Sequence, residues 1–270
     1  MSVIDAFVPM GDIPATDFPI GETHDWFDMD SRERFEEHGG HALYGAHDIE
    51  YRFNRRGYRS AEFDQDADLR VLAIGCSYVL GVGLPLDALF HQIFAARLRE
   101  TTGCTVVAWN LGASAASNDY ICRILQLAVP KLEPHIVLIN FTHASRREYV
   151  SVQNKLVPYN PGWHPTSLVG RKIKSHFDAL SSPVDDALNL FRNYNAVASL
   201  LKDRCWLFST VDPEALNGII DHLDPRRYVG TLDFLDKARD GLHPGAESHA
   251  ALAQHFWGTY CKYHSEVLSV

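Results

Sequence analysis

The sequence lacks the features that mark secreted, membrane-spanning or disulfide-rich proteins. Its five cysteines are scattered and have no paired spacing, as expected of reduced thiols in the cytosol. The segment 1–26 is acidic and broken by prolines, and it has neither a positive start nor a continuous apolar stretch, so no signal peptide is predicted. No apolar run approaches the roughly 20 residues that span a membrane. We therefore expect a cytoplasmic protein that does not enter a membrane.

The sequence also lacks basic runs, metal-ligand spacings and nucleotide-binding glycine motifs. A formal net charge of −9 with no lysine-rich stripe argues against a nucleic-acid partner. The fourteen histidines are dispersed, and His249 and His255 do not share a helical face, so no metal site is predicted. Glycines 75, 81 and 83 lack the Gly-Lys-Ser/Thr ending of a phosphate loop and the dinucleotide spacing. No cofactor is expected.

What the sequence does contain is a regular alternation of strands and helices from residue 70 onward. Short apolar runs at 71–74, 105–109, 135–141 and 205–209 predict strands, and amphipathic stretches between them predict helices. Strands and helices in βαβαβ order with short connections require right-handed crossovers and a parallel sheet covered on both faces. The prediction is an α/β fold: a three-layer α/β/α sandwich with a mainly parallel, flavodoxin-like central sheet.

The 270 residues, 46% of them apolar, suffice for one large core with an appended arm. Residues 1–69 are predicted to form an N-terminal arm that wraps the core, and residues 70–270 to form the α/β domain. In the arm, apolar and polar residues alternate over 51–54, which indicates a short edge strand ending in a turn at Gly57. An insertion at about 151–183 breaks the alternation with several prolines. It is either a lid or pocket wall, or an ordinary surface loop.

The first candidate functional residue is Ser77, which follows the predicted strand Val71–Ile74. Gly75 can end this strand sharply, so that the serine hydroxyl stands at the carboxyl edge of the sheet. Open α/β sheets bind their ligands at that edge, and a helix starting there would aim its amides at the same place. A serine in such a turn is also typical of a plain helix cap.

A second pair of candidates, Asp240 and His243, lies just before the last predicted helix. An aspartate and a histidine three residues apart can share one turn. The imidazole can then face a hydroxyl, while either the carboxylate or a backbone carbonyl fixes its tautomer. This is the general arrangement that activates a serine.

Three blocks together resemble the SGNH (GDSL-like) hydrolase superfamily over roughly residues 70 to 260. They are Gly75-Cys76-Ser77, Asn110-Leu111-Gly112 and Asp240-x-x-His243. The resemblance implies that Ser77 attacks an acyl carbonyl, that His243 takes its proton and that Asp240 orients the imidazole. It also implies an oxyanion hole formed by the Ser77 N–H, the Gly112 N–H and an asparagine side chain.

The sequence departs from the family pattern in two places. Cys76 replaces the usual aspartate of the first block. After the third strand no asparagine occupies the expected position, because Asn140 comes too early, inside the strand. His143 or Thr142 could donate instead. Otherwise the site takes a different acyl acceptor, or it is a degenerate binding site.

Further residues are candidates for substrate contacts. Arg146 could lean over the pocket to bind a substrate anion, and Thr142 is a further candidate for a substrate contact. Tyr78 is a candidate pocket wall, although ordinary packing would explain it equally. Arg59 or Arg56 could reach the pocket mouth, whereas the alternative is a solvated cationic hairpin.

The leading prediction is a serine esterase or deacylase acting through an acyl-enzyme on Ser77, with a small-molecule or carbohydrate (glycan) ester as substrate. One alternative is an O-acyltransferase that uses the same triad, if the 151–183 insertion excludes water. Another is a noncatalytic binding protein of the same fold. The sequence identifies neither the acyl length nor the oligomeric state.

Overall fold

The computed structural model describes residue 16 and residues 21–63, 66–150, 156–162, 164–166 and 168–265. The helices are α1 (Arg32–Glu37), α2 (Ser77–Leu80), α3 (Phe90–Thr102), α4 (Asn118–Leu132), α5 (Leu168–Leu180), α6 (Pro183–Leu200) and α7 (Ala246–Tyr263). The strands are β1 (Thr23–His24), β2 (Tyr51–Arg52), β3 (Leu69–Ile74), β4 (Val106–Asn110), β5 (Ile136–Phe141), β6 (Arg147–Val150), β7 (Leu156–Tyr159), β8 (Cys205–Thr210) and β9 (Tyr228–Thr231). Single 3-10 turns occupy Leu86–Ala88, Glu214–Leu216 and Ile220–His222.

The central sheet has the strand order β4-β3-β5-β8-β9, and every neighbouring pair is parallel. The predicted α/β/α sandwich with a flavodoxin-like sheet is therefore confirmed. The edge strand β9 is short and contains Gly230, and the sequence pattern did not predict it. Because all strands run the same way, the chain leaves β3, β4 and β5 at one common edge.

Helices cover both faces of the sheet, and the two faces follow from the alternation of side chains along each strand. In β3, Val71 and Ala73 pack in the apolar cluster formed with α3 and α7. Leu72 and Ile74 point the other way, into the cluster formed with α4 and α6. This is the period of two that a pleated strand imposes, and with both faces buried it explains why β3 reads as an unbroken apolar run.

Local sequence signals set several of the helix ends. Ser117 caps α4, since its hydroxyl accepts a hydrogen bond from the Tyr120 N–H at 3.1 Å. Gly103 ends α3 with a φ of 69°, a left-handed conformation that glycine adopts without strain. Pro85 precedes only the 3-10 turn Leu86–Ala88, and the α-helix itself begins at Phe90.

The described part of the N-terminal arm packs against the chain that follows Ser77. Strands β1 and β2 pair antiparallel, and a turn follows at Gly57, which has a φ of 75°. Buried side chains of the arm form an apolar cluster with residues at and just beyond the end of α2: Ile49, Tyr51, Phe53, Leu80 and Val82. Residues 1–15, 17–20, 64 and 65 of the predicted arm lie outside the described residues, so the arm's full extent stays a prediction.

The predicted insertion at 151–183 is more regular than its prolines suggested. Strands β6 and β7 pair into an antiparallel hairpin, and α5 follows over thirteen residues. Tyr149 and Phe177 stack with ring centroids 4.0 Å apart, so the helix packs on the hairpin. The prolines of this segment lie in the hairpin, in the turn after it and ahead of α5, so the helix interior contains none. Residues 151–155, 163 and 167 lie outside the described residues, and the lid role stays a prediction.

Among the described residues, no helix combines the length and the apolar character needed to cross a bilayer.

Candidate active site

Ser77 stands where the chain turns from β3 into the short helix α2. Gly75 makes this turn possible, since a Cβ there would lie 2.4 Å from Val79 Cγ2 and 2.8 Å from the Asn140 carbonyl oxygen. Ser77 is the first residue of α2, and the preceding residue, Cys76, holds the cap position without a side-chain hydrogen bond. The serine hydroxyl is therefore not used as a helix cap.

The Ser77 hydroxyl instead meets His243, 166 residues further along the chain. His243 Nε2 lies 2.9 Å from Ser77 Oγ, and both residues are largely buried, with 9% and 7% of their surface exposed. His243 Nδ1 bonds the Asp240 carboxylate through Oδ2. This places the proton of the neutral imidazole on Nδ1, so that Nε2 is free to accept the hydroxyl proton. The structure thus brings Ser77, His243 and Asp240 together in one continuous hydrogen-bonded chain.

The Asp240 carboxylate is held by its own turn. Its Oδ1 accepts hydrogen bonds from the Leu242 N–H at 3.1 Å and from the His243 N–H at 3.0 Å. Burial acts to raise the pKa of this carboxyl, but the hydrogen bonds from the His243 ring and from the two amides outweigh it and lower the pKa. Asp240 is therefore an anion at neutral pH. Of the two ways to fix the imidazole tautomer, the structure uses the carboxylate.

The loop after β4 approaches α2 very closely at Gly112. A Cβ at this position would lie 2.4 Å from the Leu80 nitrogen, so only glycine fits. Asn110 ties the same two segments together, because its Nδ2 donates to the Val79 carbonyl at 2.8 Å and its Oδ1 accepts the Gly112 N–H at 2.8 Å. The single Gly112 N–H is already used in this bond. The predicted role of the Gly112 N–H as an oxyanion donor is therefore wrong, because this N–H is not free.

The segment after β5 is organised by Thr142, which is fully buried. Its backbone N–H and carbonyl are both paired with the Asn118 side chain, at 2.9 and 3.2 Å. Its hydroxyl accepts a hydrogen bond from Arg146 Nη1 at 2.9 Å. The prediction that Thr142 contacts substrate is therefore wrong, because the residue is fully buried and its backbone groups and hydroxyl oxygen are bonded inside the protein.

His143 and Arg146 follow Thr142 and are both half-buried. Burial lowers the pKa of the His143 ring, and the nearby Arg146 charge lowers it further against the opposing effect of Asp212. His143 is therefore neutral at pH 7 and carries one ring N–H. No carboxylate among the described residues pairs with Arg146, whereas its neighbour Arg147 pairs with Asp185 and Asp186 at 2.8 and 2.9 Å.

Tyr78 lies beside His243 of the candidate triad. Its ring meets the His243 ring edge-on with centroids 5.5 Å apart, and it meets Phe234 in the same way at 5.5 Å. Burial raises the pKa of its hydroxyl, while the positive charge of Arg146 opposes this effect. Tyr78 thus forms an aromatic wall beside His243, and Arg146 lies near its hydroxyl.

Arg59 does not reach the site. It is 1% exposed, and its guanidinium donates to the carbonyls of Gly81 and Leu84 at 2.5 and 2.8 Å. The ring of Tyr51 lies under it at 4.3 Å. The predicted substrate contact at Arg59 is wrong, because the guanidinium bonds backbone carbonyls inside the protein and has no access to a ligand.

Sequence reasoning missed the residues that hold the site in shape. Asn118 carried a weak signal, because an asparagine directly after a capping serine commonly bonds a neighbouring backbone. No signal in the sequence identified Arg239, which directly precedes Asp240 and forms a buried ion pair with Asp30. Within the part of the chain that the structure describes, no three or more histidine, cysteine or acidic side chains are grouped so that they could hold a metal ion.

Comparison with known proteins gives structural likeness only. No protein-family model matches the chain, and neither does any curated protein. Among similar solved structures, TesA has 14% identity and a TM-score of 0.46, with 72% of this chain and 99% of TesA covered. The esterase EstA from Pseudoalteromonas sp. has 12% identity and a TM-score of 0.45, with 73% and 98% covered.

A putative lipolytic protein of the G-D-S-L family from Desulfitobacterium hafniense DCB-2 has 12% identity and a TM-score of 0.43, covering 71% of this chain and 99% of its own. Identities of this size concern only the type of fold, so the chemistry has to come from this chain's own side chains.

Proposed function

We propose that this chain, which resembles the SGNH hydrolases, is a serine esterase or deacylase with Ser77 as its nucleophile. One observation carries the proposal. Ser77 Oγ, the His243 imidazole and the Asp240 carboxylate form a buried hydrogen-bonded chain at the carboxyl edge of the sheet. A hydroxyl, a base and a group that orients the base are the parts that activate a serine.

In the proposed reaction, Ser77 Oγ attacks the ester carbonyl while His243 Nε2 accepts its proton. The Asp240 carboxylate stabilises the imidazolium that forms. The tetrahedral intermediate then collapses, the bond to the leaving alcohol breaks, and His243 returns the proton to the alcohol oxygen. Water repeats the sequence on the acyl-serine, giving a carboxylic acid and free Ser77.

The oxyanion that forms needs hydrogen-bond donors beside Ser77. The Ser77 N–H bonds no acceptor among the described groups, since it is the first amide of α2. For the second donor the proposal takes His143, which is neutral, half-buried and at the end of the adjacent strand β5. Removing one such donor typically costs about 2.7–4 kcal/mol in the transition state.

The substrate in this proposal is a small-molecule or carbohydrate ester that carries a negative charge. Arg146 supplies the counter-charge, because no described carboxylate pairs with it and Thr142 and the Ala116 carbonyl hold one side of its guanidinium. Tyr78 supplies an apolar wall next to His243.

A fluorophosphonate probe tests the proposal directly, because it reacts with activated serines. Mass spectrometry of the digested adduct is expected to find the label on Ser77. Ser77→Ala and His243→Ala should each abolish labelling and ester turnover. The double variant should lose little more than either single one, because the two residues act as one unit. If the wild-type protein is not labelled, or is labelled at another serine, the proposal is wrong. The alternative of a noncatalytic binding protein is then favoured.

A further inference from the structure

The two halves of the candidate triad lie on turns that are distant in sequence and touch at Gly83. Its carbonyl accepts the Arg239 N–H at 3.0 Å. A Cβ on Gly83 would lie 2.8 Å from the Ala238 Cβ and 3.2 Å from the Asp240 nitrogen, so the two turns pack backbone to backbone. The position of Asp240 relative to Ser77 therefore depends on how this contact is held.

Arg239 anchors one of the two turns in the N-terminal arm. Its guanidinium is buried, and Asp30 binds it through both carboxylate oxygens, at 2.9 Å to Nε and 2.7 Å to Nη2. The remaining N–H groups donate to backbone carbonyls of Asp25, Gly45 and Ala46. All five donors are thus used, and every acceptor belongs to the arm. The Trp26 ring covers the guanidinium at 4.0 Å.

The other turn is anchored in the same arm through Tyr51. The Tyr51 hydroxyl donates to Asp30 Oδ2 at 2.6 Å and accepts the Gly83 N–H at 2.6 Å. On either side of Gly83, the carbonyls of Gly81 and Leu84 accept hydrogen bonds from the Arg59 guanidinium. One carboxylate, Asp30, is therefore linked to the loop after the nucleophile and to the loop that carries the acid and base.

The turn that contains Asp30 also contacts the loop after β4. Phe27 and Asp30 form a backbone bridge that closes the turn, and Asp28 in it has a φ of 58°. The Asp28 carboxylate accepts a hydrogen bond from the Ser114 hydroxyl. A four-residue turn of the arm thus reaches two of the loops at the carboxyl edge of the sheet.

From these contacts we infer that the arm is a positioning clamp for the triad, with Asp30 and Tyr51 as its central residues. The inference rests on the proposed function of Ser77, His243 and Asp240. A buried ion pair is a weak source of stability but a strong geometric constraint when every donor is satisfied. The clamp keeps the Asp240 turn in register with the Ser77 turn, and neither Asp30 nor Tyr51 contacts the reacting atoms.

Tyr51→Phe tests the clamp, because it removes only the hydroxyl that joins Asp30 to Gly83. We expect kcat to fall by about ten- to a hundredfold, since a displacement of about 1 Å can cost a hundredfold. The KM for the same ester should stay unchanged, and fluorophosphonate labelling should slow by a similar factor.

Tyr194→Phe is the matched control. Tyr194 is also buried, and its hydroxyl also accepts a backbone N–H, that of Asp224 at 2.8 Å, but it packs among α6 and β8 away from the triad. It should lose similar stability and keep wild-type kinetics. Equal kinetics in the two variants, or a Tyr51→Phe effect on KM alone, would overturn the clamp.

A spectroscopic measurement separates failure of the clamp from failure of the proposed function. The proton shared by His243 Nδ1 and Asp240 should give a far-downfield NMR resonance in the wild type and in Tyr194→Phe, and it should be broadened or lost in Tyr51→Phe. This resonance reports the geometry even if the protein hydrolyses no ester. An unchanged resonance in Tyr51→Phe counts against the clamp. If Tyr51→Phe does not fold, Arg239→Lys, which keeps a charge opposite Asp30 but loses the carbonyl contacts, is judged by the same readouts.

Discussion

The side chain of Asn118 pairs with both backbone polar groups of Thr142. Asn118 Oδ1 accepts the Thr142 N–H at 2.9 Å, and Nδ2 donates to the Thr142 carbonyl at 3.2 Å, with both residues fully buried. This fixes the first turn of α4 to the end of β5. The next residue, His143, is therefore held at the same sheet edge as Ser77.

His143→Ala is expected to lower the acylation rate about a hundredfold or more, as loss of one oxyanion donor does. Substrate affinity should change little, because the contact strengthens only as negative charge develops. Stopped-flow measurement of the acylation burst checks this. His143→Asn, which restores an N–H donor, should recover part of the loss. If His143→Ala instead raises KM and spares kcat, His143 is a ground-state contact and not an oxyanion donor.

Asp240→Asn is expected to lower kcat by about four orders of magnitude, as an amide in this position favours the wrong imidazole tautomer. Of the groups that the structure describes, only the carboxylate bonds His243 Nδ1, so no backbone carbonyl among them substitutes for it. Steady-state kinetics at pH 7 measures the loss. A reduction of less than tenfold would show that another group orients the ring.

Arg146→Gln is expected to raise KM for an anionic ester by about tenfold, corresponding to roughly 1.4 kcal/mol of lost binding. The KM for a neutral ester of the same size should stay the same. Arg147→Gln is the control, because its guanidinium is paired with Asp185 and Asp186. It should lower stability without altering this selectivity. Equal KM changes for both esters in Arg146→Gln would exclude an anion site there.

Stability is expected to fall as the pH drops from about 6.5 to about 4. Burial lowers the pKa of His91 to about 3 and that of His249 to about 4, from an ordinary 6.5. In this window the unfolded chain binds protons that the folded protein does not, so acid favours unfolding. Each histidine can contribute at most about 1.4 kcal/mol per pH unit. Urea unfolding at several pH values gives the slope.

His91→Leu should reduce that slope without a large loss of stability at pH 7. Both His91 ring nitrogens are buried and have no hydrogen-bond partner among the described residues, so the substitution breaks no hydrogen bond there. A slope identical to the wild type would show that His91 does not carry the acid sensitivity.

Local signals in the sequence determined the layers of the fold and the candidate triad. The apolar run at Val71–Ile74 and the glycine after it each act over a few residues, and each has the predicted structure. The spacing of Asp240 and His243 is likewise local, because one turn holds both. Parallel strands then place Ser77, Gly112 and Thr142 at one edge, which is why block order alone predicted a shared site.

Only the tertiary structure decided which polar groups at that edge remain available. The sequence made Arg59 and Arg146 equal candidates for a substrate contact. In the structure the Arg59 guanidinium donates hydrogen bonds to the carbonyls of Gly81 and Leu84, whereas no described carboxylate pairs with Arg146. The Gly112 N–H is likewise taken by Asn110.

The link between Asp30 and Arg239 spans 209 residues, and no local pattern encodes such a pair. Burying a charged side chain costs free energy unless an oppositely charged partner and hydrogen bonds compensate for the lost water. Whether such groups lie nearby depends on how the whole chain packs.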